Sequence, residues 1–214
     1  MKTIGIDIGR ANTGLVIFDN DEKSIVANAT IQLPIAKVRK VSPFNATSHR
    51  LYFLQQNLKT FILGPGGFKK GDKALAVIED YAYGDQRMTL EQFRKMDKMS
   101  LEVGEAHGIV YAALAEIGIP MIKVAPSQMK YFIAGDGQCE KTQIIKTMHK
   151  TYRVPLDDDH QYDALALCHM GRYYIIFCSS PGVIKEGTYE YNTMINIAFD
   201  MRHAAVSKIF GLKL

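Results

Sequence analysis

A chain of 214 residues can bury one substantial core but is short for two independent domains, so one domain with decorations is the starting expectation. With 47% hydrophobic and 22% charged residues and no apolar run long enough to cross a bilayer, the composition excludes a disordered chain and a membrane-spanning one. A net charge of +4 permits contact with polyanions without requiring it, and three cysteines without a CxxC pair argue against a disulfide framework or a zinc knuckle.

The opening residues show no cationic leader, apolar run and cleavage site, which points to the cytoplasm. Apolar residues alternate with small or polar ones from Thr3 to Ile8, the chain turns at Gly9-Arg10-Ala11-Asn12, and Thr13 to Phe18 resumes the pattern. With a turn at Asn20-Asp21 and a further strand from Ser24 to Leu33, these segments predict a three-strand antiparallel meander. Leu51, Leu54, Leu58 and Ile62 place a helix over Pro43 to Leu63. A glycine-rich break follows, and Ala74 to Glu79 reads as a short strand buried on both faces. Next come a long helix over Thr89 to Ile117, a strand over Pro120 to Val124, a short helix over Ser127 to Ile133 and another over Glu140 to Tyr152. A last core helix runs from near Asp157 to about Phe177. Strands first, then alternating strands and helices, predict a mixed α/β sheet flanked by helices. The domain is expected to span residues 1–178, with 179–214 as a C-terminal accessory extension containing a helix over Tyr189 to Phe210.

Asp7 interrupts an otherwise apolar strand between Ile6 and Ile8. A buried carboxylate there costs several kcal/mol unless paired or metal-bound, although an Asp at a strand end can also cap the following turn. Glu79 ends the strand Ala74 to Ile78 in the same way, with Asp80 as the neighbouring candidate. In Asp157-Asp158-Asp159-His160-Gln161-Tyr162-Asp163, the first three acids suit a helix N-terminus, but Asp163 lies beyond the first turn. His160 and Asp163 are three apart and share a helix face. If that face lies across the sheet, three carboxylates and an imidazole meet at one point and would repel without cations among them. Hard oxygen ligands favour Mg²⁺ or Mn²⁺, and two ions roughly 4 Å apart form the clamp used in phosphodiester hydrolysis. Asp7, Glu79, His160 and Asp163 are therefore the expected metal-binding and catalytic residues. Tyr81 and Tyr83, just past Glu79, are placed either to stack on an unpaired base or to pack in the core.

Ile4-Gly5-Ile6-Asp7-Ile8-Gly9-Arg10-Ala11-Asn12-Thr13-Gly14 resembles the opening of the RuvC-type Holliday junction resolvases, as does Val77-Ile78-Glu79. Gly104-Glu105-Ala106-His107-Gly108, Ala125-Pro126-Ser127-Gln128-Met129-Lys130, Gly135-Asp136-Gly137 with Lys141, and Asp163-Ala164-Leu165-Ala166 continue the likeness in order, to about residue 170. The resemblance implies a ribonuclease H-like fold and a DNA endonuclease that cuts four-way junctions with Mg²⁺ or Mn²⁺, two ions per site. It places Lys130 and Lys141 near the scissile phosphate, although each lysine alone would read as a solvated helix face. Arg10, Tyr81, Tyr83, Lys130 and Lys141 become the candidate DNA contacts. It also implies a homodimer, and Leu90, Phe93, Met96, Leu101, Val103 and Val110 give the long helix apolar girth for a partner, or equally for burial within one subunit.

The segment from about Pro34 to Lys73 and residues 180 to 214 exceed the usual family length, which fits a phage-encoded branch acting in a bacterial cell or phage-infected host. Three other readings compete: a less selective branched-DNA nuclease, an actin-like nucleotide hydrolase or kinase sharing the first motif, and a DNA-structure binder that does not cut. The second needs a duplicated domain that 214 residues do not show, and the four site residues disfavour the third.

Overall fold

Strand β1 (Lys2–Ile8) pairs antiparallel with β2 (Asn12–Asp19), and β2 with β3 (Ser24–Gln32), giving the meander expected from the alternating pattern. On its other edge β1 pairs parallel with β4 (Ala74–Glu79), and β4 pairs parallel with β5 (Met121–Val124). The sheet order is thus β3-β2-β1-β4-β5, with β1 and β4 side by side near the centre. The helices are α1 (Pro43–Leu63), α2 (Leu90–Ile117), α3 (Pro126–Ala134), α4 (Lys141–Tyr152), α5 (Asp159–Ser179) and α6 (Tyr189–Ala198). These elements come from a computed structural model that describes residues 1–33, 43–65, 67–69, 72–80 and 90–198.

Successive strand residues point to opposite faces of a sheet, and the two sets of side chains build two cores. Ile4, Ile6, Ile8, Leu15, Ile17, Ala76 and Ile78 pack against Leu54, Leu58 and Ile62 of α1 and Ala106, Val110 and Leu114 of α2. Each large aliphatic group buried there is worth roughly 2 kcal/mol. Val16, Phe18, Leu75, Val77, Ile122 and Val124 pack against α3, α4 and above all α5. Helix α5 is buried nearly all round from Gln161 to Cys168, because the sheet lies on one side and the other helices on the other.

Glycine lets α5 come this close. A Cβ on Gly5 would lie 1.8 Å from the Ala164 carbonyl oxygen, and one on Gly14 would lie 2.2 Å from that of His160. Asp158 caps the helix, its carboxylate accepting the Gln161 N–H at 3.0 Å and the Thr30 hydroxyl at 2.6 Å. The aspartate run was expected to play this role, and α5 begins one residue after the cap.

Beyond α5, a 3₁₀ turn at Pro181–Val183 leads to α6, whose Met194 and Ile197 join Ile184 in the core beneath α3 and α5. Residues 199–214, the remainder of the expected C-terminal helix, lie outside the described set. Cys139, Cys168 and Cys178 are all buried. Among the described residues no helix is long and apolar enough to cross a membrane.

Candidate active site

The parallel register that sets Ile6 opposite Ile78 brings Asp7 and Glu79 to the same end of adjacent strands. Both share strand parity with residues that face α5, so their side chains emerge beneath that helix. Asp7 is 6% exposed and Asp163 7% exposed, far less than carboxylates usually tolerate. From α5, the His160 imidazole meets Asp7, with Nδ1 2.7 Å from Oδ2. From α4, the Lys141 ammonium lies 2.8 Å from Asp163 Oδ2 and 2.9 Å from Asp159 Oδ2. Four elements thus converge, and the backbone contacts at Gly5 and Gly14 hold α5 in register over them.

The charge balance is unfavourable to the acids. Burial, together with the charge of Asp7 and a hydrogen bond to it, pushes the Glu79 carboxyl up to about 8. Burial also raises Asp163 above the usual carboxylate range, although Lys141 pulls the other way. The hydrogen bond to Asp7 raises His160 above the ordinary imidazole value in spite of burial. Burial alone would lower Lys141, but hydrogen bonds to Asp159 and Asp163 raise it instead. The crowding of buried acids thus favours the protonated form of Glu79.

Oδ1 of Asp163 is buried and has no hydrogen-bond partner among the described residues. An orphaned carboxylate oxygen beside two further acids is the donor chemistry that hard divalent cations satisfy. With Nδ1 donating to Asp7, a neutral His160 leaves its Nε2 lone pair facing Asn12 Nδ2 at 3.4 Å, so this second atom is also available as a ligand or base. Among the described residues no three such groups are drawn together into a ready-made ligand shell. Asp163 is engaged by Lys141 and Asp7 by His160, and a cation would have to draw the acids inward. The residues fit a metal in number, type and charge.

Arg10, in the turn after β1, pairs with Glu102 of α2 at 2.7 Å. Glu102 is itself held by the buried Arg50 of α1, which lies 3.7 Å from its carboxylate and donates to its carbonyl at 3.0 Å. Lys130 lies beside Cys139, where its charge opposes the rise that burial imposes on the thiol; among the described residues no ion pair joins it to the site acids. Tyr81 and Tyr83 fall outside the described residues. Asp80 lies 4.0 Å from Lys123 of β5. Sequence reasoning passed over Asn12, Arg50, Glu102 and the pairing partner Asp159. Asn12 sits within the recognisable opening motif and Asp159 within the aspartate run, whereas Arg50 and Glu102 carry no local signal because their partners are distant in the chain.

A sheet of three antiparallel strands followed by two parallel ones, with acids at the ends of β1 and β4 and on the helix laid across them, defines the ribonuclease H-like class. A family profile described as "Crossover junction endodeoxyribonuclease RuvC" matches residues 73–169. Proteins of that name from Roseiflexus sp. (strain RS-1) and Thermotoga petrophila are each 29% identical, over 78% and 79% of this chain and 89% and 92% of their own lengths. A third, from Anaeromyxobacter sp. (strain Fw109-5), is 36% identical over 35% of this chain and 37% of its own length. The fold matches that of Thermus thermophilus RuvC, with a TM-score of 0.57, 19% identity and coverage of 81% of this chain and 95% of that one. The same protein in complex with Holliday junction substrate gives a TM-score of 0.58 at 18% identity, covering 81% and 94%. The chain is similar to RuvC-type proteins in sequence and shares their fold.

Proposed function

We propose that the chain is a metal-dependent endodeoxyribonuclease that resolves four-way DNA junctions by hydrolysis. The observation that carries this reading is the convergence of Asp7, Glu79 and Asp163, from two adjacent parallel strands and the helix across them, with Asp163 Oδ1 left unpartnered among the described residues. Those three carboxylates would hold two Mg²⁺ or Mn²⁺ ions, with His160 Nε2 as a fourth donor. Bound there, divalent cations supply an activated water and stabilise the departing 3′ oxygen. Lys141, half-exposed between Asp159 and Asp163, is placed to receive a phosphate oxygen, and Lys130 and Arg10 supply further backbone contacts. Tyr81 and Tyr83, which follow Glu79 directly, are the proposed stacking residues.

A two-fold junction calls for paired sites and hence a homodimer. On α2, Leu101 is 64% exposed and, among the described residues, the Cβ positions of Gly104 and Gly108 meet nothing within 4 Å, leaving a face that a second helix can approach closely. Val110 is buried within the subunit and Val103 half-buried; the side chains of Leu90, Phe93 and Met96 lie outside the described residues. The cytoplasm of a bacterial cell or phage-infected host is the proposed site of action. Residues 1–178 are proposed as the nuclease domain and 179–214 as its accessory extension.

The test is incubation of wild type and Asp7→Asn with a synthetic four-way junction, a flap and a linear duplex, each with Mg²⁺, Mn²⁺ or a chelator. Wild type should cut the junction only with metal, and Asp7→Asn should lose at least about 1000-fold in rate while still binding the junction. Full cleavage by the variant would rule out this site, and equal cutting of flap and junction would replace resolution with general branched-DNA cleavage.

A further inference from the structure

His107 is a buried polar residue that the site leaves unexplained. It is 5% exposed on α2, on the face of the sheet opposite α5, next to Ala106 in an aliphatic core. Both ring nitrogens face carbonyl oxygens: Nδ1 lies 3.0 Å from Val103 O and Nε2 lies 2.9 Å from Glu79 O. Carbonyls only accept, so the ring must donate. The Val103 carbonyl lies one helical turn back, where it already accepts the N–H of residue 107. The contact that adds something new is therefore the one to Glu79.

We infer that His107 is a positioning residue: its Nε2–H holds the Glu79 carbonyl from behind the sheet and so fixes where the Glu79 carboxylate stands on the other side. Glu79 ends β4, where the ladder to β1 has stopped at Ile78 and the strand is held from the β5 side alone, by pairing with Val124 and by the Asp80 N–H donating to the Val124 carbonyl at 2.7 Å; His107 adds a hold from the helix side. The same strand end is braced a second time. Asp80 reaches Lys123 of β5, the Lys123 ammonium lies 4.3 Å from the Tyr111 ring centroid, and Tyr111 meets His107 edge-on at 5.8 Å. Metal-holding carboxylates need sub-ångström placement, and partners one step removed commonly govern affinity as strongly as the ligands do.

The role rests on the metal-site reading above, and the experiment separates the two. His107→Leu removes the Nε2 donor, His107→Gln can reach the Glu79 carbonyl with its amide, and His107→Asn is too short to do so. Mn²⁺ binding by calorimetry, junction affinity in chelator, single-turnover junction cleavage and thermal melting are measured for each. His107→Asn and His107→Leu should bind Mn²⁺ about tenfold more weakly and cleave at least about tenfold more slowly, with junction affinity within about twofold of wild type. His107→Gln should recover most of both losses. If His107→Leu does not fold, the Gln and Asn pair carries the test alone. Equal Mn²⁺ affinity and equal cleavage in Gln and Asn variants, or wild-type values in His107→Leu, overturn the positioning role. A wild type that neither binds Mn²⁺ nor cuts junctions overturns the reading of the site itself.

Discussion

On the α1 and α2 side of the sheet, Ile4, Ile6, Ile17 and Ile78 stand between strand and helix, and packing there is a matter of filling volume with aliphatic groups. On the α5 side glycine takes their place at the centre: Gly5 under Ala164, Gly14 under His160, and Gly171 against Val77. Backbone meets backbone at Gly5 and Gly14, and Asp7, His160 and Asp163 beside them are located by that main-chain contact more than by pliable packing. Aliphatic packing tolerates small adjustments in a way that a carbonyl against a Cα does not. A site that must hold several charges within hydrogen-bond distance is built on the less forgiving face.

The widest separation of the two faces should come from one substitution on each. Gly5→Ala drives a methyl into the Ala164 carbonyl and should cost about 3 kcal/mol or more, lowering Tm by roughly 10 °C. Leu58→Ala on α1 should cost a similar amount by leaving a cavity. Assayed well below their melting temperatures, Leu58→Ala should cut at nearly the wild-type rate while Gly5→Ala stays at least about tenfold slower. Equal rates in the two folded variants would remove the distinction between the faces.

A smaller effect reads the charge trapped under α5. The Glu79 carboxyl stands at about 8 against an ordinary 4.5, so the unfolded chain gives up this proton while the folded one keeps it. Its contribution to stability is fully present below about pH 4.5 and is lost as pH rises through about 8. The raised His160 adds a loss of the same sign. In chelator the wild type should therefore melt at progressively lower temperature from pH 5 to 9, and Glu79→Gln should flatten the trend. At pH 8 the variant should exceed wild type by roughly 5 °C. A wild-type curve without that slope would mean that Glu79 is ionised in the metal-free fold.

The smallest effect concerns ion choice. Imidazole is a softer ligand than carboxylate, so wild type should cut faster with Mn²⁺ than with Mg²⁺, and His160→Asp should shrink that ratio several-fold. An unchanged ratio with an altered pH profile would make His160 a proton-transfer group acting through water instead.

The strands and helices were readable because their periodicities are strong, and the predicted bounds of β1 to β5 differ from the observed ones by one residue at most. Asp7 and Glu79 announced themselves by breaking apolar strands, and His160 and Asp163 by sharing a helix face past the cap. Lys141 looked like a solvated lysine and was singled out only by resemblance; its pairing with Asp163 depends on how α4 docks beside α5. His107 was legible only as part of a small-residue patch, because its meaning lies in a carbonyl 28 residues away. The Arg10–Glu102–Arg50 cluster was invisible for the same reason, joining residues 92 and 52 apart. Local pattern marks where charge is unusual, whereas the partner that answers it is a product of tertiary docking.

β1 ends between neighbours that follow it much later in the chain. Its parallel partner β4 follows some seventy residues on, and α5, which closes over Gly5 and Asp7, comes only near residue 160. During synthesis the meander must therefore wait with one edge unpaired and one apolar face bare, the condition in which nascent chains recruit holding factors or stick to each other. The same delay means that a ribosome-bound fragment ending before α5 carries Asp7 and Glu79 but no closed site. A growing chain of this kind keeps its strand acids apart from their helix partners until α5 has been made.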